Sequence, residues 1–121
     1  MSQIYQRVAL IGLGLIASSM YWSIKRSGVV AEVVGYARSE KTRETARRIA
    51  LCDRVYDSAS EAVETADLVV LCVPVGIMGA VVAEIAPSLK PGATLSDVGS
   101  VKRVVIDAVI PHLPDGVEFV P

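Results

Sequence analysis

The stretch VALIGLGLIASS, residues 8–19, sets the fold class of this 121-residue chain. It opens on Val8–Ile11, a continuous apolar run that is typical of a strand buried on both faces of a parallel sheet. Two glycines follow, and beyond them apolar residues recur at helical spacing as far as Gly28, a residue type that often ends helices. We therefore predict a strand over 7–13 and a helix over 15–27, joined by a turn with very little side chain.

Strand and helix patterns alternate along the rest of the chain. Asp67 opens the fourth strand, and Pro74 is expected to end it because proline cannot donate to a ladder. Alternation of this kind implies right-handed crossovers, and so an α/β fold with a doubly wound parallel sheet in the order 3-2-1-4-5-6. The predicted strands cover 7–13, 32–37, 54–56, 67–74, 93–97 and 117–120, and the predicted helices cover 15–27, 42–50, 58–65, 76–89 and 101–110.

The turn after the first strand has the pattern GxGxxA, formed by Gly12, Gly14 and Ala17. The first glycine permits a tight turn, the second lets a diphosphate approach the backbone, and the small third residue lets the helix pack close to the strand. The helix that starts beyond Gly14 also offers unpaired N–H groups and the positive end of its dipole. This context favours a dinucleotide site over the alternative, a turn with a purely structural role.

The residues after the second strand indicate which dinucleotide is bound. An acidic side chain there is typical of NAD sites, but this sequence has Ala37, Arg38 and Ser39. A guanidinium and a hydroxyl suit a ribose 2′-phosphate. We therefore favour NADP and keep NAD as the alternative, in which Arg38 stacks on adenine or faces water.

Other charged residues near this segment have simpler interpretations. Glu32 is expected at the start of the second strand, on the far side of the sheet from the phosphates. Lys41 and Arg43 are expected on a solvated helix face, although both would add to the positive field near the tip.

Composition excludes several classes of function. The chain has 12 Lys and Arg against 13 Asp and Glu, a formal net charge of −1, which leaves no electrostatic footprint for nucleic acid. Cys52, Cys72 and the single His112 stand apart, so no metal site is predicted, both thiols are expected to be reduced, and His112 is expected at the surface. The apolar run 8–16 is too short for a membrane span and lacks the flanks of a signal peptide. We expect one cytoplasmic domain over residues 1–121, without a membrane partner.

Three segments together resemble a known family. GLGLIASS (Gly12–Ser19), ADLVVLCVPV (Ala66–Val75) and LSDVGSVK (Leu95–Lys102) are similar to the N-terminal, nucleotide-binding half of prephenate dehydrogenases, a group that includes arogenate and cyclohexadienyl dehydrogenases. Many oxidoreductases share the glycine turn, whereas DVGSVK is the discriminating piece, because related β-hydroxyacid dehydrogenases differ there. The resemblance implies a Rossmann-type domain.

The resemblance also implies an activity, the oxidative decarboxylation of prephenate or arogenate in tyrosine biosynthesis. The hydroxyl-bearing ring carbon gives its hydride to NADP or NAD, carbon dioxide leaves, and the ring becomes aromatic. The family's catalytic histidine and its helical substrate and dimerisation domain would lie beyond residue 121. We therefore expect the full-length protein to be a homodimer, and this chain to bind dinucleotide without turnover. Whether the substrate is prephenate or arogenate stays open.

The roles of individual residues follow from the same resemblance. Ser100 matches the family's serine close to the substrate hydroxyl, and is our candidate catalytic residue; the residues alone also allow it to be the N-cap of the last helix. Lys102 stands unfavourably near the positive end of that helix, which points either to a nearby anion or to a surface lysine. The candidate cofactor-binding residues are Gly12, Gly14, Leu15, Ile16, Ala17, Arg38, Ser39, Val73, Pro74, Val75, Gly99, Ser100 and Lys102.

Two other classes of function compete with this interpretation. One is a β-hydroxyacid or pyrroline-5-carboxylate type of reductase, against which DVGSVK argues. The other is a nucleotide-sensing module without enzymatic activity, which usually has an acid after the second strand, where this chain has Ala37.

Overall fold

Six parallel strands form a single sheet with helices on both faces. In the computed structural model, which describes residues 5–99 and 102–121, the order of the strands is β3-β2-β1-β4-β5-β6. The predicted fold class and strand order are therefore confirmed. The strands are β1 (Tyr5–Ile11), β2 (Val30–Tyr36), β3 (Arg54–Val55), β4 (Leu68–Leu71), β5 (Thr94–Asp97) and β6 (Glu118–Val120), and the helices are α1 (Leu15–Ser27), α2 (Glu40–Arg48), α3 (Ala59–Val63), α4 (Val75–Ile85) and α5 (Lys102–Val109).

The register places the carboxyl ends of the central strands side by side. Ile11 of β1 lies opposite Tyr36 of β2 and Leu71 of β4, and Leu71 lies opposite Asp97 of β5. The turns after these strands therefore meet at one edge of the sheet, where the strand order reverses between β1 and β4. In an open parallel sheet this is the place at which ligands bind.

Two apolar cores cover the two faces of the sheet. One core joins the sheet to α3, α4 and α5, with Met78, Val82 and Ile85 of α4 fully buried. The other joins it to α1 and α2, where Ala17 and Ala46 bring their helices close to the strands. Strands buried on both faces explain why the sequence shows unbroken apolar runs at β1 and β4.

Several element boundaries differ from the sequence prediction, each for a local reason. The first strand ends at Ile11 rather than at residue 13, because Gly12 has a φ of +102° and leaves the extended conformation. The second helix starts at Glu40 rather than at residue 42, because Ser39 caps it directly, its hydroxyl accepting from the Thr42 amide at 3.4 Å.

The prediction that Pro74 ends the fourth strand was wrong. The strand β4 already ends at Leu71, and Pro74 is the N-cap of α4, with φ −57° and ψ 145°. Proline is tolerated at the beginning of a helix because its missing N–H is not needed there. The predicted helix over 76–89 is shorter than expected: α4 ends at Ile85 and continues as a 3₁₀ turn over Ala86–Ser88, which contains Pro87.

Ion pairs hold the opposite edge of the sheet. The carboxylate of Asp67 accepts the backbone amides of Gln6 and Arg7, at 2.9 and 3.0 Å, and pairs with Lys90 at 2.5 Å. The hydrogen bond from Lys90 lowers the pKa of Asp67 most, the two amides lower it further, and partial burial opposes them. Glu32 also lies at this edge, paired with Arg7, far from the glycine turn as predicted.

A similar carboxylate ties α1 to the sheet. Asp53 accepts the Val33 amide at 2.8 Å, the Lys25 ammonium at 3.0 Å and the Tyr21 hydroxyl at 3.3 Å. Burial alone would raise the pKa of Asp53, but these three donors together lower it below its usual value. This contact fixes the far end of α1 and so orients its N-terminus at the other edge.

Two kinds of feature are absent from residues 5–99 and 102–121. None of the helices within these ranges is long and apolar enough to span a membrane. In the same ranges no group of three or more His, Cys, Asp or Glu side chains is placed to hold a metal ion.

Candidate functional site

The glycine turn is built on a close contact between two stretches of backbone. A Cβ on Gly12 would lie 2.6 Å from the carbonyl oxygen of Cys72 and 2.9 Å from Val73 Cγ1. The Gly12 amide donates to the Tyr36 carbonyl at 2.8 Å, and the Cys72 amide donates to the Ile11 carbonyl at the same distance. The turn is thereby fixed to β2 on one side and to β4 on the other.

The second glycine faces open space instead. A Cβ on Gly14 would have no heavy atom within 4 Å, and its φ of −101° is accessible to any residue. The absence of a side chain here is therefore not required by the packing of the described residues. A group that approaches the backbone from outside would explain it.

The N-terminus of α1 presents amides to that open space. The first helical hydrogen bond runs from the Ser18 amide to the Gly14 carbonyl at 3.1 Å, so the amides of Leu15, Ile16 and Ala17 have no intrahelical partner. Within the described part of the chain no side chain caps this helix, and its first turn holds no acidic residue. The arrangement is the anion site that unpaired N–H groups and a helix dipole create.

A first cleft opens on one side of the turn. Its walls are apolar and come from β1, β2, α3 and α4, while Arg38 and Glu84 stand among them as charged side chains. The lining residues are Ile11, Gly12, Tyr36, Arg38, Ala59, Val73, Ile77, Val81 and Glu84.

The tip that carries Arg38 is held by a second arginine. The guanidinium of Arg43 donates to the carbonyls of Ala37 and Arg38, at 2.7 and 2.8 Å, and contacts Asp57 at 3.1 Å. It also lies 5.7 Å from the centre of the Tyr36 ring. Only 13% of the Arg43 side chain is exposed, so the expectation of a solvated helix face was wrong for this residue. Arg38 itself is exposed at the rim of the first cleft.

A second cleft lies on the other side of the turn. It brings Ile16 of α1 together with Val73, Pro74 and Val75 before and within α4, and with Gly99 after β5. Cys72 also lines it, and burial raises the pKa of this thiol to about 11, so it is protonated at neutral pH. Cys52 and Cys72 are both free thiols.

The segment after β5 is organised by Asp97. Its buried side chain accepts the Gly99 amide at 2.6 Å and the Lys102 ammonium at 3.0 Å, both on Oδ2. The anion expected near Lys102 is thus present within the chain itself. Gly99 is required by packing, because a Cβ would lie 2.7 Å from Val105 Cγ2. Ser100, the candidate catalytic residue, lies outside the described residues.

The predicted site residues include only three of the nine that line the first cleft, Gly12, Arg38 and Val73. Three of the six others, Ile77, Val81 and Glu84, follow one another at intervals of four and three on α4. That spacing was the available signal, since it puts all three on one helical face. His112 is exposed, as expected, in the 3₁₀ turn after α5.

Comparison with known proteins agrees with this geometry. The family model described as prephenate dehydrogenase, nucleotide-binding domain, matches residues 22–121. The chain belongs to this family of nucleotide-binding domains. The resemblance stated from the three sequence segments is therefore confirmed.

Individual relatives give the same family. The chain is 44% identical over 112 residues to a cyclohexadienyl dehydrogenase of Zymomonas mobilis, a match that covers 93% of this chain and 38% of the relative. It is 30% identical over 121 residues to a prephenate dehydrogenase of Bacillus subtilis, covering 99% of this chain and 33% of the relative. The crystal structure of Synechocystis arogenate dehydrogenase has a TM-score of 0.79 at 28% identity, covering 88% of this chain and 37% of that one. The chain thus spans little more than a third of the length of these proteins.

We expect an added methyl group to destabilise the fold much more at Gly12 than at Gly14. We expect Gly12→Ala to lower the free energy of unfolding by about 3 kcal/mol or more, because it combines a disallowed φ with a backbone collision. Gly14→Ala meets open space and should cost less than about 1 kcal/mol, the loss of a favourable N-cap residue. Urea denaturation followed by circular dichroism measures both. Equal losses of stability in the two variants would contradict the geometry described here.

Proposed function

We propose that this domain binds a nicotinamide dinucleotide, NADP in preference to NAD. The observation that carries the proposal is the set of uncapped amides at the start of α1, facing space that a Gly14 side chain would otherwise occupy. A diphosphate there would accept hydrogen bonds from the Leu15 and Ile16 amides and meet the positive end of the helix. The clefts on either side of the turn would then receive the two nucleoside halves.

The preference for NADP rests on the tip after β2. Arg38 is exposed at the rim of the first cleft, and Arg43 fixes the carbonyls on either side of it, so the guanidinium emerges from a defined backbone. Ser39 places a hydroxyl at the start of α2, where the helix amides also favour an anion. Both groups suit a ribose 2′-phosphate, and no carboxylate replaces Ala37 to bind the 2′-hydroxyl of NAD.

We propose further that the domain serves in the oxidative decarboxylation of prephenate or arogenate, within a cytoplasmic homodimeric enzyme. The nicotinamide, when bound, supplies the hydride acceptor. In this proposal the chain's own part is orientation, since Ile16, Val73 and Val98 line the second cleft with apolar surface against which the bound group would pack. Asp97 holds the turn that leads to Ser100, whose proposed role is a contact with the substrate hydroxyl.

Loss of the Arg38 guanidinium tests the cofactor preference. We expect Arg38→Ala to weaken NADPH binding by about 1–3 kcal/mol, because a charge-assisted contact to the 2′-phosphate disappears, and to leave NADH binding nearly unchanged. Isothermal titration calorimetry gives both affinities. Arg48→Ala, an exposed arginine at the other end of α2, is the matched control and should change neither. An unaltered NADPH affinity in Arg38→Ala would remove the basis for NADP preference.

The substrate class is tested by assay of a full-length protein that carries this domain. Prephenate, arogenate and 3-hydroxyisobutyrate are offered in turn with NADP and NAD, and reduction of the cofactor is followed by absorbance. We expect turnover with prephenate or arogenate and none with 3-hydroxyisobutyrate. Oxidation of 3-hydroxyisobutyrate alone would point to the β-hydroxyacid class, and binding of cofactor without any turnover would favour a nucleotide-sensing module.

A further inference from the structure

Glu84 is a charged side chain in the first cleft to which the proposed function gives no role. It shares one face of α4 with Ile77 and Val81, the two apolar residues that precede it at helical spacing. Val81 is 7% exposed and forms the floor, whereas Glu84 is exposed at the rim. Because side chains incline towards the N-terminus of their helix, the carboxylate of Glu84 extends back towards Val81 and into the cleft.

The Glu84 side chain is not engaged by the rest of the fold. Among residues 5–99 and 102–121, no ion pair or side-chain hydrogen bond involves Glu84. Arg38 lines the same cleft, yet the two side chains do not pair within 4 Å. The cleft thus offers apolar walls, a cation, and a hydrogen-bond acceptor that no described side chain occupies.

The apolar walls and the carboxylate of this cleft suit a purine base that presents a hydrogen-bond donor. Apolar walls such as Tyr36, Ala59 and Ile77 suit the flat faces of a purine. An ionised carboxylate only accepts hydrogen bonds, so it favours a base edge that presents a donor. A 6-aminopurine presents its exocyclic N6 amino group, whereas a 6-oxopurine presents an oxygen acceptor at the same position.

We propose that Glu84 selects adenine over hypoxanthine, by accepting a hydrogen bond from the N6 amino group of the base. This inference rests on the proposed function, since it requires that the first cleft holds the nucleoside half that carries the base. It adds a specificity-determining residue on α4, in the same cleft as Arg38. Arg38 then contacts the ribose 2′-phosphate, and Glu84 accepts a hydrogen bond from the base.

The test compares two dinucleotides that differ only in the base. Isothermal titration calorimetry of this chain gives the Kd for NADH and for its hypoxanthine analogue, reduced nicotinamide hypoxanthine dinucleotide. We expect the wild-type chain to prefer adenine by about tenfold, which corresponds to about 1.4 kcal/mol. In Glu84→Gln the preference should fall to about twofold or less, because an amide can either donate or accept. Glu84→Lys, which only donates, should reverse it.

Two controls distinguish a specific contact between Glu84 and the base from a general effect of charge on dinucleotide affinity. Glu64→Gln removes an exposed carboxylate at the end of α3, outside the cleft, and should keep the wild-type ratio. The ratio of two Kd values also cancels any general effect of charge on dinucleotide affinity. Binding of both dinucleotides with equal affinity by the wild-type chain, or an unchanged ratio in Glu84→Gln, would overturn the inference while leaving the proposed function intact. No binding of either dinucleotide would instead reject the proposed function, and this inference with it.

Discussion

The structure depends on the approach of the Gly12 backbone to the carbonyl of Cys72. No side chain fits between them, since a Cβ would lie 2.6 Å from the carbonyl oxygen. The contact brings the end of β1 against the end of β4, at the point where the strand order reverses. It also sets the direction in which α1 leaves the turn. The amides of Leu15 and Ile16 face outward as a consequence, and both clefts take a wall from Val73, which lies next to the contact.

The amino edge of the sheet carries stabilising ion pairs, whereas the carboxyl edge carries the candidate binding site. At the amino edge, the Asp67 carboxylate accepts hydrogen bonds from two backbone amides and pairs with the Lys90 ammonium, so its hydrogen-bonding capacity is met within the chain. At the carboxyl edge, the amides at the start of α1 have no such partners among the described residues. Unpaired helix amides and the positive end of a helix dipole together favour an anion. These amides are the physical argument that this edge binds a ligand.

Most of the fold could be predicted because its determinants are local. The apolar run Val8–Ile11 and the glycine at position 28 each act within a few residues, and both appear where the sequence indicated. The alternation of strands and helices then left one strand order as the natural choice. The error at Pro74 came from a choice that is not local: whether a proline ends a strand or begins a helix depends on where β4 separates from its neighbours.

The candidate site was less predictable, because its parts are brought together by tertiary contacts. Arg43 looked like a surface residue until the fold placed the carbonyls of Ala37 and Arg38 beside it. Glu84 was overlooked because its position in the cleft depends on how α4 packs against α3 and β2. The sequence left two interpretations of Lys102 open, a nearby anion or a surface lysine, and the fold places its ammonium 3.0 Å from the Asp97 carboxylate, five residues earlier in the chain. Sequence patterns identify the elements, whereas the roles of long charged side chains depend on what packs around them.

The claim that exposed backbone amides hold the diphosphate is tested most directly by nuclear magnetic resonance. The ¹⁵N-labelled chain is titrated with NADPH while its amide resonances are followed. We expect saturable shifts that are largest for the amides of residues 15–17, which have no intrahelical partner and face the diphosphate. Saturable binding that leaves those three amides unperturbed would contradict the proposed contact.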